Sequence, residues 1–317
     1  MISLNPYSLL IDLKNYLYDQ HYFKQFHPHT RVISIGNLNT GGSGKTPLTQ
    51  YLASLVPEKK ILIVCRSYKA SLSEPARVDL LRAHAADIYG NEACLLKQVL
   101  PQCDVWSGPS KSETVKAAVK NNTYDFIFID DGFSHRKLFR HKDIVLVDLS
   151  RDKSHYKLLP FGHMREDWKT LSRSHLVVFT KAEGQSDSQV KFFIDQVSPF
   201  QKNIVHAQMT TILESKNKNI YLVTGLGNPE KLKNNLQDLG YQVSKHQFYP
   251  DHYSFPESEQ LDILKNAKEH SELQMVMTAK DRVKISHPEL LQRIQCADLS
   301  VSMADVDRKI FYDTILS

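Results

Sequence analysis

Arg31-Val-Ile-Ser-Ile-Gly-Asn-Leu-Asn-Thr-Gly-Gly-Ser-Gly-Lys-Thr46 decides the fold of this chain. Val32, Ile33 and Ile35 make a β-branched apolar run that reads as a buried strand ending at Gly36. The chain then passes Asn37 to Thr40 and closes on Gly41, Gly42, Ser43, Gly44, Lys45 and Thr46. Glycines at 41, 42 and 44 let the backbone curl so that successive N–H groups converge on an anion. The helix opening near Thr46 adds its positive end, Lys45 a full charge and the Thr46 hydroxyl a Mg²⁺ ligand. Strand, glycine-rich loop and helix in that order predict a phosphate-binding loop, with residues 41–46 as its nucleotide contacts. The usual spacing asks for glycine where Asn39 stands, a residue that tolerates left-handed backbone better than most.

A second stretch answers the first. Asp125-Phe-Ile-Phe-Ile-Asp130-Asp131-Gly132 is a short apolar strand ending in paired carboxylates. In phosphate-loop enzymes such a strand holds the Mg²⁺ opposite the loop hydroxyl, so Thr46 with either Asp130 or Asp131 is the expected metal site. Just beyond, Ser134 to Lys142 carries His135, Arg136, Lys137, Arg140 and His141, a basic run beside the catalytic edge that suits a phosphate or an anionic lipid. Arg66 follows the apolar run Ile61 to Cys65 at its carboxyl end, where open α/β sheets place ligands.

Around these signals, apolar β-branched runs alternate with amphipathic segments. That alternation predicts an α/β fold of the P-loop NTPase type: a mostly parallel sheet with helices on both faces. Trp106 reads as part of a loop, and Val115 to Lys120 as a helix. Thr180-Lys181-Ala-Glu183 is similar to a guanine-reading loop with Glu in place of Asp. Near residue 205 the pattern resets, and Ile220 to Pro229 begins a new strand-turn-helix unit. Gly225 and Gly227 lack the third glycine of a dinucleotide fingerprint. Later strands are expected at Val243–Phe248, at Met275–Thr278 and in the final segment, with the adjacent pair Asp251–His252 between them as a turn or a proton-handling pair. The expected division is 1–30, 31–205 and 206–317: an N-terminal helix, a phosphate-loop domain and a smaller α/β domain.

The N-terminal segment opens with Asn5-Pro6, an N-cap followed by proline at the first helical position. Its leucines and aromatics, from Tyr7 to Phe26, are interrupted by Asp12 and Lys14, leaving a run too short to span a bilayer. Such a stripe serves equally to lie in a membrane interface or to pack on its own domain. The chain of 317 residues has a net charge of +5, which suits an anionic ligand or a membrane surface and falls short of the profile of a nucleic-acid binder. Its four cysteines show no metal spacing, and no signal peptide is evident, so a reduced cytosolic setting is expected.

Taken in order, these motifs resemble the tetraacyldisaccharide 4′-kinase family, the lipid A 4′-kinases of Gram-negative bacteria. The resemblance runs through Ile35 to Pro47, Arg66 and Tyr68, Asp130 to Phe133 with His135, Arg136 and Arg140, and Asp143 to Asp148. It continues in Pro160, Gly162, Arg165 and Glu166, then Gly225, Asn228 and Pro229, Asp251 and His252, and Thr278 with Lys280 and Asp281. It implies transfer of the ATP γ-phosphoryl group to the 4′-hydroxyl of an acylated disaccharide 1-phosphate, at the cytoplasmic face of the inner membrane. ATP and Mg²⁺ are the implied cofactors, and a monomer is expected. Lys45, Asp131, His252, Asp251 and the position of Asn91 are the implied catalytic residues, and Arg66, His135, Arg136 and Arg165 the implied phosphate or substrate contacts. The chain departs from the family at Ser67, Lys69 and Ser134, and above all at Asn91. The family pattern there is Gly-Asp-Glu, with the Asp paired to the motif His; an amide accepts no proton. Glu92, Asp131 or His252 would then accept it. A partition-type ATPase also carries Gly-Gly-x-Gly-Lys-Thr, but its additional Lys falls at Thr40 in this chain. The same loop would also serve a nucleotide-dependent switch that binds a protein partner, and Asn91 would suit a homologue of low activity.

Overall fold

The apolar runs of the sequence lie side by side in a computed structural model that describes residues 5–42, 44–68, 70–251 and 253–317. In chain order the strands are β1 (Arg31–Asn37), β2 (Ile61–Arg66), β3 (Ala76–Arg77), β4 (Asp104–Gly108), β5 (Phe126–Asp130) and β6 (Lys142–Asp148). Then follow β7 (Leu176–Thr180), β8 (Ile204–Ile212), β9 (Asn219–Thr224), β10 (Gln242–Phe248), β11 (Gln274–Thr278) and β12 (Gln295–Ser302). Among the described residues they form one sheet of 12 strands in the order β10-β9-β11-β12-β8-β7-β6-β1-β5-β2-β4-β3. Pairing is parallel except between β12 and β8 and between β3 and β4. Parallel strands need long crossovers. The first half supplies α2 (Lys45–Ser54), α3 (Ala85–Tyr89), α4 (Asn91–Val99), α5 (Lys111–Val119) and α6 (Asp187–Val197), after the N-terminal α1 (Pro6–Asp19). The second half supplies α7 (Pro229–Asp238), α8 (Glu257–Glu269), α9 (Ala279–Arg282), α10 (Pro288–Arg293) and the terminal α11 (Asp305–Ile315).

Alternation along the strands explains the helices on both faces. Ile33 and Ile35 of β1 pack with Leu48 and Leu52 of α2 and Leu96 of α4. Val32, one residue out of phase, packs on the other face with Val115 and Ala118 of α5. Around β9 the same logic sends Tyr221 and Val223 to α8, and Ile220 and Leu222 to α7. Strand β8 pairs parallel with β7 on one side and antiparallel with β12 on the other, so the sheet continues past residue 205. Trp106 is on β4, not in a loop: residues 104–108 pair with β2 over five positions, Leu62 opposite Asp104 through Arg66 opposite Gly108. A strand that short, bounded by Cys103 and Pro109, shows too little alternation to stand out in the sequence. The final segment gives one strand, β12, and then ends as a helix.

Helix α1 is capped as the sequence predicts, the Asn5 side chain accepting from the Tyr7 N–H at 3.0 Å. One side of it is tied down: Asn15 and Tyr18 are buried, Asn5 donates to the Leu159 carbonyl, and Asp12 pairs with Lys169. The other side leaves Leu9, Leu10, Leu13 and Tyr16 more than half exposed. Among the described residues no helix is long and apolar enough to cross a membrane.

The site depends on how closely β1 meets the turn leaving β5. A Cβ on Gly36 would lie 2.8 Å from the Phe133 Cβ and 3.0 Å from its backbone nitrogen. Backbone on the receiving side cannot give way as a flexible side chain would. Gly36→Ala is therefore expected to lower stability by about 1–3 kcal/mol, read as a lower urea midpoint at unchanged m-value.

Candidate active site

Gly41 and Gly44 take φ of +108° and +91°, the left-handed turns that the loop needs and that a side chain would strain. Gly44 is the N-cap of α2, so Lys45 and Thr46 are its first two helical residues and the free first-turn N–H groups face the loop. Asn39 does not take left-handed backbone; it forms a β-bridge to Met164, and the adjacent Thr40 N–H donates to the His163 carbonyl. The missing first glycine is thus replaced by a supporting segment, residues 163–165, laid beneath the loop. Ser43 lies outside the described residues.

Parallel pairing of β1 with β5 sets Ile35 opposite Asp130, which brings the loop and the carboxylates to the same end of neighbouring strands. Asp131 then turns into left-handed backbone, φ +49°. Its carboxylate receives both Arg165 Nη atoms, at 2.7 and 2.6 Å. Arg165 Nη2 also donates to the Asn37 side chain at 2.8 Å and the Asn37 carbonyl at 3.2 Å. Burial alone would raise the Asp131 pKa, but the Arg165 hydrogen bonds and charge hold it well below the usual carboxylate range. Asp130 is driven the other way: burial and then the Glu92 charge push it up to about 7, against the pull of Lys45. A carboxylate so destabilised as an anion is a ready ligand for a divalent cation. Among the described residues no three His, Cys, Asp or Glu side chains stand together as metal ligands. A Mg²⁺ that shares phosphate oxygens and water needs only one or two carboxylates, so Asp130, with Thr46 at the head of α2, fits that ion.

Lys111, the first residue of α5, reaches under this group and donates to the Asp131 carbonyl at 2.5 Å. Only 5% exposed, it has its pKa lowered by burial, while Asp131 and Asp130 oppose the shift. No local signal marks it. Lys111 lies ahead of the helix expected at Val115 to Lys120; the helix in fact begins at Lys111, and only the fold turns that lysine inward.

The remaining expected residues divide. Arg66 is exposed at the end of β2, and its charge is felt at His135. Asn91 is the first residue of α4, directly before Glu92. Asp251 stands by the Gly227 turn, where a Cβ would lie 3.3 Å from its Oδ2. His252 and Lys69 lie outside the described residues. Arg136 is drawn to α1, donating to Asp19 at 2.7 Å and to the Asn15 carbonyl at 3.2 Å. Arg140 is buried against Asp143 at 2.7 Å. The basic run is thus partly structural. Lys181 pairs with Asp148 at 2.5 Å, which ties down the guanine-loop-like segment.

The sequence model of the tetraacyldisaccharide-1-P 4′-kinases matches residues 3–317. The chain belongs to this family. The tetraacyldisaccharide 4′-kinase of Bdellovibrio bacteriovorus is 34% identical over 301 residues, covering 89% of this chain and 88% of that one. The one from Halothermothrix orenii is 28% identical over 313 residues, with 90% and 82% covered. Among solved structures, LpxK from Aquifex aeolicus, crystallised in complex with ATP, superposes with a TM-score of 0.74 at 24% identity, covering 98% of this chain and 96% of its own. The 12-stranded sheet and its helices are therefore the fold of a tetraacyldisaccharide 4′-kinase.

His135 carries the pH dependence that this geometry makes most testable. Burial, then the charges of Lys111, Arg140, Lys137 and Arg66, lower its pKa from 6.5 to about 4. With a folded pKa below the unfolded one, the unfolded chain takes up the proton first as pH falls. The contribution of His135 to stability is therefore expected to fall between about pH 6.5 and 4, by at most about 3 kcal/mol. Asp130 contributes in the opposite sense, because its raised pKa lets the folded chain take up that proton first over the same range. The stability of the parent relative to His135→Asn, read from urea midpoints at each pH, should decrease as pH falls through that range, because the Asp130 contribution is common to both. The losses from Asp131 and Glu166, whose pKa values are lowered carboxylate values, begin only at lower pH.

Proposed function

We propose that this chain transfers the γ-phosphoryl group of ATP to the 4′-hydroxyl of a tetraacylated disaccharide 1-phosphate, the lipid A kinase reaction. The observation that carries the reading is that the loop leading to Lys45 leaves β1 beside the end of β5 that carries Asp130, in a chain matched over residues 3–317 by this family. The N–H groups of the loop and Lys45 hold the β- and γ-phosphates. Thr46 and Asp130 would hold Mg²⁺, whose chemistry there would be to offset the charge of those phosphates. Arg165 and Lys111 act through Asp131, keeping the turn beyond β5 rigid beside the loop. Arg66, exposed with His135 nearby, meets phosphate on the acceptor. Arg136 serves the same face by holding α1.

In the transfer, the 4′-oxygen forms a bond to the γ-phosphorus as the bond to the bridging oxygen breaks, and ADP leaves. The hydroxyl proton passes to His252, with Asp251 beside it in the sequence. Asn91 stands where the family has a carboxylate and cannot raise the basicity of that imidazole. Phosphoryl transfer relies mostly on positioning and charge neutralisation, so the reaction is slowed and not abolished.

The acceptor is amphiphilic, and α1 presents Leu9, Leu10, Leu13 and Tyr16 to the outside. We place this stripe in the cytoplasmic face of the inner membrane, lying along it with Tyr16 at headgroup level. Residues 31–205 then form the nucleotide unit, and 206–317 a second unit joined to it through β8.

Purified protein with ATP, Mg²⁺ and the acylated disaccharide monophosphate in detergent should yield a product heavier by one phosphate. Lys45→Ala and Asp130→Asn should each reduce that yield to background. Asn91→Asp should raise kcat, by up to the roughly 10²-fold that a positioned base contributes. Full activity in Lys45→Ala would refute the assignment.

A further inference from the structure

The second unit carries a cation to the phosphate loop. Measured from the Cβ that Gly42 lacks, the Lys280 Nζ lies 3.8 Å away, at the edge of the loop. Lys280 is exposed and makes no hydrogen bond or ion pair among the described residues. The residues around it are the opposite. Asp281, with no exposed surface, accepts from Thr224 Oγ1 at 2.8 Å, the Gly225 N–H at 3.1 Å, Thr278 Oγ1 at 2.8 Å and Lys284 Nζ at 3.0 Å. The Thr278 side chain returns the contact by accepting from the Asp281 N–H. On the other side, Arg282 Nη1 donates to Gln98 Oε1 at 2.8 Å, on the helix that begins at Asn91 and Glu92. The short helix α9 is therefore pinned at 281 to the β9 and β11 ends and at 282 to α4. Beside these two anchors, one unpaired ammonium group faces a loop built for anions.

We propose that Lys280 is a nucleotide-contacting residue that binds the terminal phosphates of ATP as a second cation in addition to Lys45, positioned by Asp281 and by the Arg282–Gln98 bond. This rests on the kinase reading for the nature of the ligand. A second cation on the transferring group acts on the charge that spreads over its oxygens and the leaving oxygen, the part taken elsewhere by a residue supplied from another lobe or partner. The binding of triphosphate also gains an additional contact between the two units, through β8 and α9.

The test compares the parent chain with Lys280→Ala and Lys280→Arg, in full-length protein with Mg²⁺, using calorimetry with a non-hydrolysable ATP analogue and with AMP. Because Lys280 is exposed and unpaired, thermal midpoints of the variants should match the parent. Lys280→Ala is expected to weaken analogue binding about 10-fold or more, to leave AMP binding unchanged, and to lower kcat by about 10²-fold. Lys280→Arg should recover most of both. Analogue affinity and kcat within twofold of the parent in Lys280→Ala would overturn the proposal, as would equal losses for the analogue and AMP. A parent that binds the analogue yet phosphorylates no disaccharide refutes the proposed activity while the binding comparison still decides Lys280. A parent that binds no analogue refutes both.

Discussion

Arg165 joins three pieces of backbone that are far apart in the chain. Its guanidinium takes both oxygens of Asp131 and two acceptors on Asn37, while its own N–H donates to the Leu38 carbonyl at 2.7 Å. One side chain thus fixes the exit of β1 to the exit of β5, the two strand ends that hold the phosphate loop and the acids. A planar fork with delocalised charge suits this better than an ammonium, because four acceptors must be met in fixed directions. Removing such a partner would leave a half-buried carboxylate uncompensated in left-handed backbone, and breaking a pair of this kind costs roughly 3–5 kcal/mol. Gly36 is part of the same constraint, since a side chain there would push the turn away from the strand.

Charge at the site is arranged in pairs until the nucleotide is considered. Asp131 is matched by Arg165 and, through its carbonyl, by Lys111; Asp130 and Glu92 face Lys45. Arg66 stands at the end of β2 and Lys280 on α9, and neither has a carboxylate partner among the described residues. A surplus of positive charge around a cleft with buried acids at its base is what a metal-bound triphosphate would offset. The carboxylates alone would not explain the outer cations, nor would the loop alone explain why Asp130 is left so poorly compensated.

The apolar strands of the parallel core, the loop and the carboxylate pair were legible because each rests on a local signal: an apolar β-branched run, glycines at a fixed spacing, acids directly after a strand; β4, with Trp106, gave no such run. Ordered together, those signals sufficed for the family as well. What escaped was set by tertiary contact. Lys111 falls ahead of the helix expected at Val115 to Lys120 and is buried because α5 begins earlier, against the β5 turn. Asn39 invites a left-handed backbone on propensity and is instead extended into a bridge, since residues 163–165 return to support the loop. The run from His135 to Lys142 reads as a basic patch, yet Arg136 and Arg140 meet Asp19 and Asp143. Charge counting along a sequence cannot tell a free cation from a paired one.

The same segment that supports the loop also carries α1. Tyr7 donates from its hydroxyl to the Arg165 carbonyl at 2.9 Å, Asn5 to the Leu159 carbonyl at 2.9 Å, and Asp12 accepts from Lys169 at 2.7 Å. At its other end, Asp19 takes Arg136 at 2.7 Å. The exposed leucines of the helix are therefore registered, through a few short polar contacts, to the residue that holds Asp131. An enzyme acting on the head of a lipid must set its cleft at a fixed height above the apolar plane in which that lipid is rooted. A flexible tether would bring the protein to the membrane without setting that height. On the proposed membrane reading, a helix tied at both ends to segments flanking the site would do both, which would give the polar face of α1 as much of the work as its apolar one.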